Sequence, residues 1–127
     1  MNDRERVEAI DDQIAHVWMV RRFLKHCEEA EDDEELQQIS RDLYDFMLAV
    51  GPHRTDGDDA GFLKQAKKKL RRLRGATELF VEIQPEVSGH TNFQMAARSL
   101  RLAVDRIQQL LGGDSLRKAA EPEGVSS

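Results

Sequence analysis

Glu8, Asp12 and His16 follow one another at four-residue steps, so on a helix their side chains stack along one flank. In that order Asp12 can accept the proton of one His16 nitrogen and leave the other free. That is the arrangement of a metal-ligating or general-base histidine. His26 beside Glu29, His53 and His90 are the other imidazoles available for such work. The same spacing also describes a partly buried histidine, lodged near Val20 and Phe23 and satisfied by Asp12. The bundle metal pattern pairs Glu-x-x-His on two helices with single glutamates on the others. Neither Glu-x-x-His nor His-x-x-x-His occurs in this chain, so no metal and no cofactor is expected.

Charge is segregated. Residues 28–35 carry seven carboxylates and no base, whereas residues 64–74 carry seven cations: Lys64, Lys67, Lys68, Lys69, Arg71, Arg72 and Arg74. Lys64, Lys67, Lys68, Arg71 and Arg74 form a basic face that could follow a phosphate backbone, as in RNA binding. No aromatic stacking platform interleaves with these cations, and no glycine-rich phosphate cradle is present. The other reading is a solvated face, complementary to the acidic turn of the same chain or of a partner chain. Glu34-Glu35 also lacks the Glu-x-x-Asp that follows Glu-Glu-x-x-Glu in all-helical nucleotide pyrophosphohydrolases. Cys27 stands beside Glu28 and Glu29, an anionic setting that raises a thiol pKa and suits a structural role rather than a nucleophile.

The elements that position these groups follow from apolar spacing. Leu63, Ala66, Leu70, Leu73, Thr77 and Phe80 repeat at three- and four-residue steps, the stripe of a helix that faces neighbours along its length. A first helix is predicted over about Asp3–Ala30, opened by an Asn2…Glu5 capping box and facing the core with Val7, Ile10, Ile14 and Val17. Its second half puts Val20, Phe23 and Cys27 on another side, which makes it central or part of a subunit interface. A second helix, about Asp33–Val50, turns Leu36, Ile39, Leu43, Phe46, Met47 and Val50 inward and Tyr44 and Leu48 outward. Gly51-Pro52 should stop it. The third, about Asp59–Ile83, is capped by Asp58 or Asp59 and ended by Gln84-Pro85. The fourth, about Asn92–Leu111, opens with a Thr91…Gln94 capping box and buries Phe93, Ala97, Leu100, Val104, Ile107 and Leu111.

Short connections imply antiparallel neighbours, hence an all-α, up-down four-helix bundle over residues 1–112, followed by a flexible, disordered tail over 113–127. At 127 residues the chain suits one domain with a core that needs no disulfide staples. Charged residues at 34% against aromatics at 6% fit helices with solvated outer faces, and no run alternates with period two. A net charge of −5 argues against nucleic acid or an anionic membrane as the main partner. A lone cysteine, a charged N-terminus and the lack of an ~18-residue apolar run make the cytoplasm the expected compartment.

Two resemblances add to this. Arg4 to Ile14, continuing to Arg21-Arg22, resembles the first helix of all-helical chorismate mutases, which begins Leu-Arg-x-x-Ile-x-x-Ile-Asp-x-x-Ile and ends at an arginine pair. The resemblance implies that Arg4 and Arg21 bind a dicarboxylate substrate. It covers about a fifth of the chain, with Asp32 where that family has a lysine and Ala103 in place of the glutamine of its Ser-x-x-x-Gln. The chain as a whole is similar to short, uncharacterised bacterial helical proteins that sometimes carry the label amidohydrolase. The segments that carry this likeness are Ile10 to Val20 and His90 to Ala97. The label implies a metal-activated water attacking an amide carbonyl, with Asp12, His16, His26 and His90 as the ligands or bases. A (β/α)₈ barrel, typically ~250 residues, does not fit in this length.

The sequence therefore points first to a non-catalytic interaction or assembly module, a homodimer or a binder of another protein. Val20, Phe23, Tyr44 and Leu48 are its candidate interface. A metal-assisted hydrolase built on Asp12 and His16 is the alternative, and a phosphate-backbone binder on the basic helix the third reading.

Overall fold

A computed structural model describes residues 1–112, and among them four helices make the whole architecture: α1 (Asp3–His26), α2 (Glu34–Thr55), α3 (Asp59–Val87) and α4 (Thr91–Leu110). The tail expected over 113–127 lies outside the described residues. Cross-helix pairs give the helix directions. Asp11 near the start of α1 meets Arg54 at the end of α2, with Arg54 Nε donating to Oδ2 over 3.2 Å. Arg72 on α3 pairs with Asp45 on α2 at 3.9 Å, and Arg74 on α3 pairs with Asp105 on α4 at 3.0 Å. Phe23 near the end of α1 packs edge-on against Phe93 at the start of α4, ring centroids 5.0 Å apart. Each chain neighbour is therefore antiparallel, and α4 closes the ring against α1. Arg4 and Asp59, both near helix starts, bond at 3.0 Å across the parallel α1/α3 diagonal.

Every residue of the expected seams on α2, α3 and α4 is buried. The centre is filled by Phe46, Phe62 and Phe80, each at most 1% exposed. Truncating one of these rings to alanine costs about 3–5 kcal/mol in a packed core. Thr77 enters the seam without penalty because its hydroxyl donates to the Leu73 carbonyl at 2.8 Å.

Four expectations about boundaries are corrected. First, α1 stops at His26. Cys27 is extended, and Glu28–Ala30 form a 3₁₀ turn, so carboxylates are kept out of the negative end of the helix. The turn is tied down by Gln37, whose amide donates to the Ala30 and Glu31 carbonyls at 2.9 and 3.0 Å.

Second, α2 runs through Gly51-Pro52 to Thr55. Proline forfeits only the bond to the Leu48 carbonyl, on a water-facing side, and Gly51 has no Cβ for the ring to strike. The true stop is Gly57 at φ 71°: Asp58 donates to His53 O at 2.9 Å and Gly57 to Arg54 O at 3.2 Å, a Schellman closure.

Third, α3 continues past Pro85 to Val87. Gln84 is buried rather than terminal, and its amide donates to Ser88 O at 2.8 Å.

Fourth, the N-cap of α4 is His90 and not Thr91. Its Nδ1 accepts from Asn92 N at 3.0 Å, and the Gln94 amide turns back to Gly89 O. An imidazole with a free lone pair does the work of a serine or aspartate there.

The α2–α3 corner is the tightest piece of local chemistry. Asp58 closes α2 with its backbone and caps α3 with its side chain, Oδ1 accepting from Gly61 N at 3.0 Å, while Oδ2 meets His53 Nδ1 at 3.0 Å. A Cβ at residue 61 would strike the Asp58 carboxylate and the His53 ring. Gly61→Ala therefore swings the carboxylate away and forfeits the cap, about 1 kcal/mol, lowering Tm by roughly 3–6 °C. Gly75→Ala, in open space on the same helix, moves Tm the other way by roughly 2–5 °C, since alanine is the better helix former. Thermal melts of both variants by circular dichroism check the pair.

The amide of Gly61 and the ring of His53 hold the Asp58 carboxyl below its ordinary value. A depressed carboxylate contributes stability that is complete above its unfolded pKa, about 3.9, and disappears as pH falls through the lower folded value. Asp58→Asn keeps a capping oxygen but cannot titrate there. Melting temperatures between pH 7 and pH 2 should fall less steeply at the acid end for Asp58→Asn than for the parent chain.

Candidate functional site

Asp12, His16, His26 and His90 are all exposed, and they do not converge. No hydrogen bond joins Asp12 to His16, so His16 is neither the oriented base nor the buried, satisfied histidine that its spacing allowed. His26 lies roughly 15 Å further along α1, and His90 is spent as a helix cap. Among the described residues no three His, Cys, Asp or Glu side chains gather closely enough to hold a metal ion.

Cys27 is half-buried, its thiol donating to Leu24 O at 3.2 Å. Burial is the main cause that pushes the thiol pKa up, and the Glu29 carboxylate adds to it.

The basic face is partly consumed. Arg74 binds Asp105 and, at 3.8 Å, Glu78, and Arg72 binds Asp45. Among the described residues Lys64, Lys67, Lys68, Lys69 and Arg71 have no ion-pair partner within 4.0 Å. The acidic turn does not reach them. It sits at the bundle end where α2 begins and α3 finishes, as the groove shared by Glu34, Glu35 and Leu79 indicates. The cations occupy the first half of α3, a helix of 29 residues and about 43 Å.

Of the four candidate interface residues, Val20 is 4% exposed and belongs to the chain's own core, and Phe23 is half-buried against Phe93. The two-sided first helix is thus explained by its two neighbours in the ring, α2 on one side and α4 on the other. Tyr44 and Leu48 do lie open, at 36% and 53% exposure. The pairs Asp11–Arg54 and Arg21–Tyr44 share one register, which sets Trp18 of α1 opposite residue 47, next to Leu48. Trp18 is 45% exposed, and Met19 beside it is 63% exposed. Trp18, Tyr44 and Leu48 therefore form an uncovered apolar patch on the α1/α2 face. Sequence reasoning found the α2 half of this patch and missed Trp18, whose place depends on the register between two helices.

Next to the patch, toward the acidic end, α1 and α2 enclose a cleft of about 360 Å³. Buried Leu24, Ala30 and Leu36 lie beneath it, Tyr44 borders it, and its cations are Arg21, Lys25 and Arg41. The Arg21 guanidinium carbon lies 4.4 Å from the centroid of the Tyr44 ring, a cation–π contact. Its Nε is buried and has no hydrogen-bond partner. None of the three cations has a carboxylate within 4.0 Å among the described residues, and only Arg41 is otherwise engaged, donating to Gln38 Oε1 at 2.9 Å. Glu31 contributes the single carboxylate of the lining. Arg4, the other residue singled out by the chorismate mutase resemblance, lies roughly 25 Å away along α1 and is bound to Asp59, so Arg4 and Arg21 do not share this cleft.

Comparison with protein-family models, curated proteins and solved structures gives no match to this chain.

The raised thiol pKa gives a direct check on the inert reading of Cys27. Alkylation by iodoacetamide at neutral pH should run at least about tenfold slower in the folded chain than in the unfolded chain, and should accelerate as pH rises. Equal rates would mean that Cys27 is an open, reactive thiol.

Proposed function

We propose that this chain is a non-catalytic helical-bundle module that works by self-association through the α1/α2 face. The observation that carries this reading is that Trp18, Tyr44 and Leu48 are all exposed and fall on one face in the register that Asp11–Arg54 and Arg21–Tyr44 set. Uncovered apolar and aromatic residues that cluster, rather than scatter, mark surfaces that bind protein. Tyrosine and tryptophan supply large contact area at low entropy cost.

The charge layout supports a second copy as the occupant. The acidic turn and the basic half of α3 lie apart within one chain and leave most of their charges unpaired, so each can be matched by its opposite on another copy. The scattered histidines give no comparable support to a hydrolase. No helix among the described residues is long and apolar enough to cross a membrane, and a lone cysteine suits a reducing compartment such as the cytoplasm.

Trp18 is the chain's one tryptophan, so the interface carries its own reporter. Molar mass followed by light scattering from about 1 mM to about 1 μM, the span in which weak dimers dissociate, should fall from twice 14.5 kDa toward 14.5 kDa. Trp18 emission should shift to longer wavelength with the same midpoint. Leu48→Gln, an exposed substitution, should move that midpoint at least about tenfold higher in concentration with little change in Tm. A strict monomer at the highest concentration, or a midpoint indifferent to Leu48→Gln, overturns the proposal.

A further inference from the structure

We infer that the α1/α2 cleft beside this patch is a binding site for a small phosphate monoester with an apolar body. Self-association does not require it, since the patch lies outside the cleft except for Tyr44.

The head group follows from charge. Arg21, Lys25 and Arg41 line one small concavity and are unmatched by ion pairs, an arrangement that costs mutual repulsion unless an anion is present. Three cations against the one carboxylate of Glu31 leave two positive charges, the complement of a phosphate monoester dianion near neutral pH. Arg21 is the best-prepared donor. Stacking on Tyr44 fixes the plane of its guanidinium, and its terminal amino groups donate to no acceptor among the described residues. A planar fork held in one orientation matches two phosphate oxygens at once. The Gln37 amide, already donating to two carbonyls, is not free to join.

The body of the ligand follows from shape and lining. A volume of about 360 Å³ lies at the small end of the ~300–1,000 Å³ typical of small-molecule sites. The Tyr44 ring edge and the aliphatic stems of Arg21, Lys25 and Arg41 give the ligand an apolar surface to cover. Inorganic phosphate would satisfy the cations and leave that surface wet, so an organic group attached to the phosphate gains affinity that the bare ion does not.

Calorimetric titration with phenyl phosphate, inorganic phosphate and benzoate tests each part. Phenyl phosphate should bind with Kd below about 1 mM, and both inorganic phosphate and benzoate at least about tenfold more weakly. Arg21→Gln should weaken phenyl phosphate at least about tenfold, the worth of charge-assisted hydrogen bonds. Because Arg21 also packs on Tyr44, Lys25→Gln supplies a check at an exposed side chain and should weaken binding about threefold. Arg98→Gln, on the outside of α4, should change nothing.

Binding of phenyl phosphate to Leu48→Gln should equal that of the parent chain, whether or not the parent dimerises. Loss in Leu48→Gln would mean that the site exists only in an assembly and overturns the assignment to the cleft. Benzoate binding as tightly as phenyl phosphate would replace the phosphate class by a carboxylate class. Inorganic phosphate binding equally well would overturn the apolar body of the ligand; no binding of phenyl phosphate at about 10 mM, or indifference to both Arg21→Gln and Lys25→Gln, would overturn the site itself.

Discussion

Each helix of this molecule can bury only a narrow stripe of side chains, and closing four stripes on one another is the constraint from which the rest follows. With few aromatic residues, the centre depends on Phe46, Phe62 and Phe80, all fully buried, and on aliphatic side chains between them. Each buried side chain of that size is worth about 1.5–3 kcal/mol in transfer free energy, whereas an exposed ion pair is worth about 0–1 kcal/mol. Core burial therefore decides that the helices associate. The ion pairs Arg54–Asp11, Arg72–Asp45 and Arg74–Asp105 sit along the seam edges and favour one antiparallel register over its neighbours.

The narrowness of the stripes explains why the fold was legible in the chain. The seam of α3, from Leu63 to Phe80, is a matter of spacing alone, and spacing is written in the sequence. Helix ends were less legible, because they depend on small local balances. Gly51-Pro52 and Gln84-Pro85 read as stops, yet a proline in the last turn loses only a single hydrogen bond. The stop that matters, Gly57, is a residue whose positive φ satisfies the last carbonyls of α2. His90 was read as a candidate ligand or base because it is one of only four histidines in the chain. Its Nδ1 can serve as a cap when the preceding turn aims it at Asn92 N.

The candidate sites were less legible still, for a geometric reason. Four-residue spacing places Glu8, Asp12 and His16 on one flank, but it cannot say what stands opposite that flank, and here nothing that could complete a metal or catalytic cluster does. Conversely, the cleft and the patch draw on residues 23 to 30 positions apart. Arg21 meets Tyr44, and Trp18 comes beside Leu48, only when the offset between α1 and α2 is fixed. That offset is set by the core and by Arg54–Asp11. Val20 and Phe23 illustrate the same point from the other side: their apolar character was plain, but the approach of α4 is what turned an expected interface into interior packing.

The position of the cleft follows from how seam edges are closed. Between α2 and α3, between α3 and α4, and at the N-terminal end of α1 against α2, a cation on one helix finds a carboxylate on the other, and the edge is neutralised. At the other end of the α1/α2 edge the pattern fails: Arg21, Lys25 and Arg41 come from both helices and all carry the same sign. Ser40 and Gln37 stand on α2 where larger apolar residues would have filled the gap. Simple repair was chemically available, since aspartate or glutamate at residue 40 would give the edge the same kind of pairing as its neighbours. The α1/α2 edge is thus paired at one end and left cationic and concave at the other. The exposed Trp18 and Leu48 lie along that same α1/α2 face.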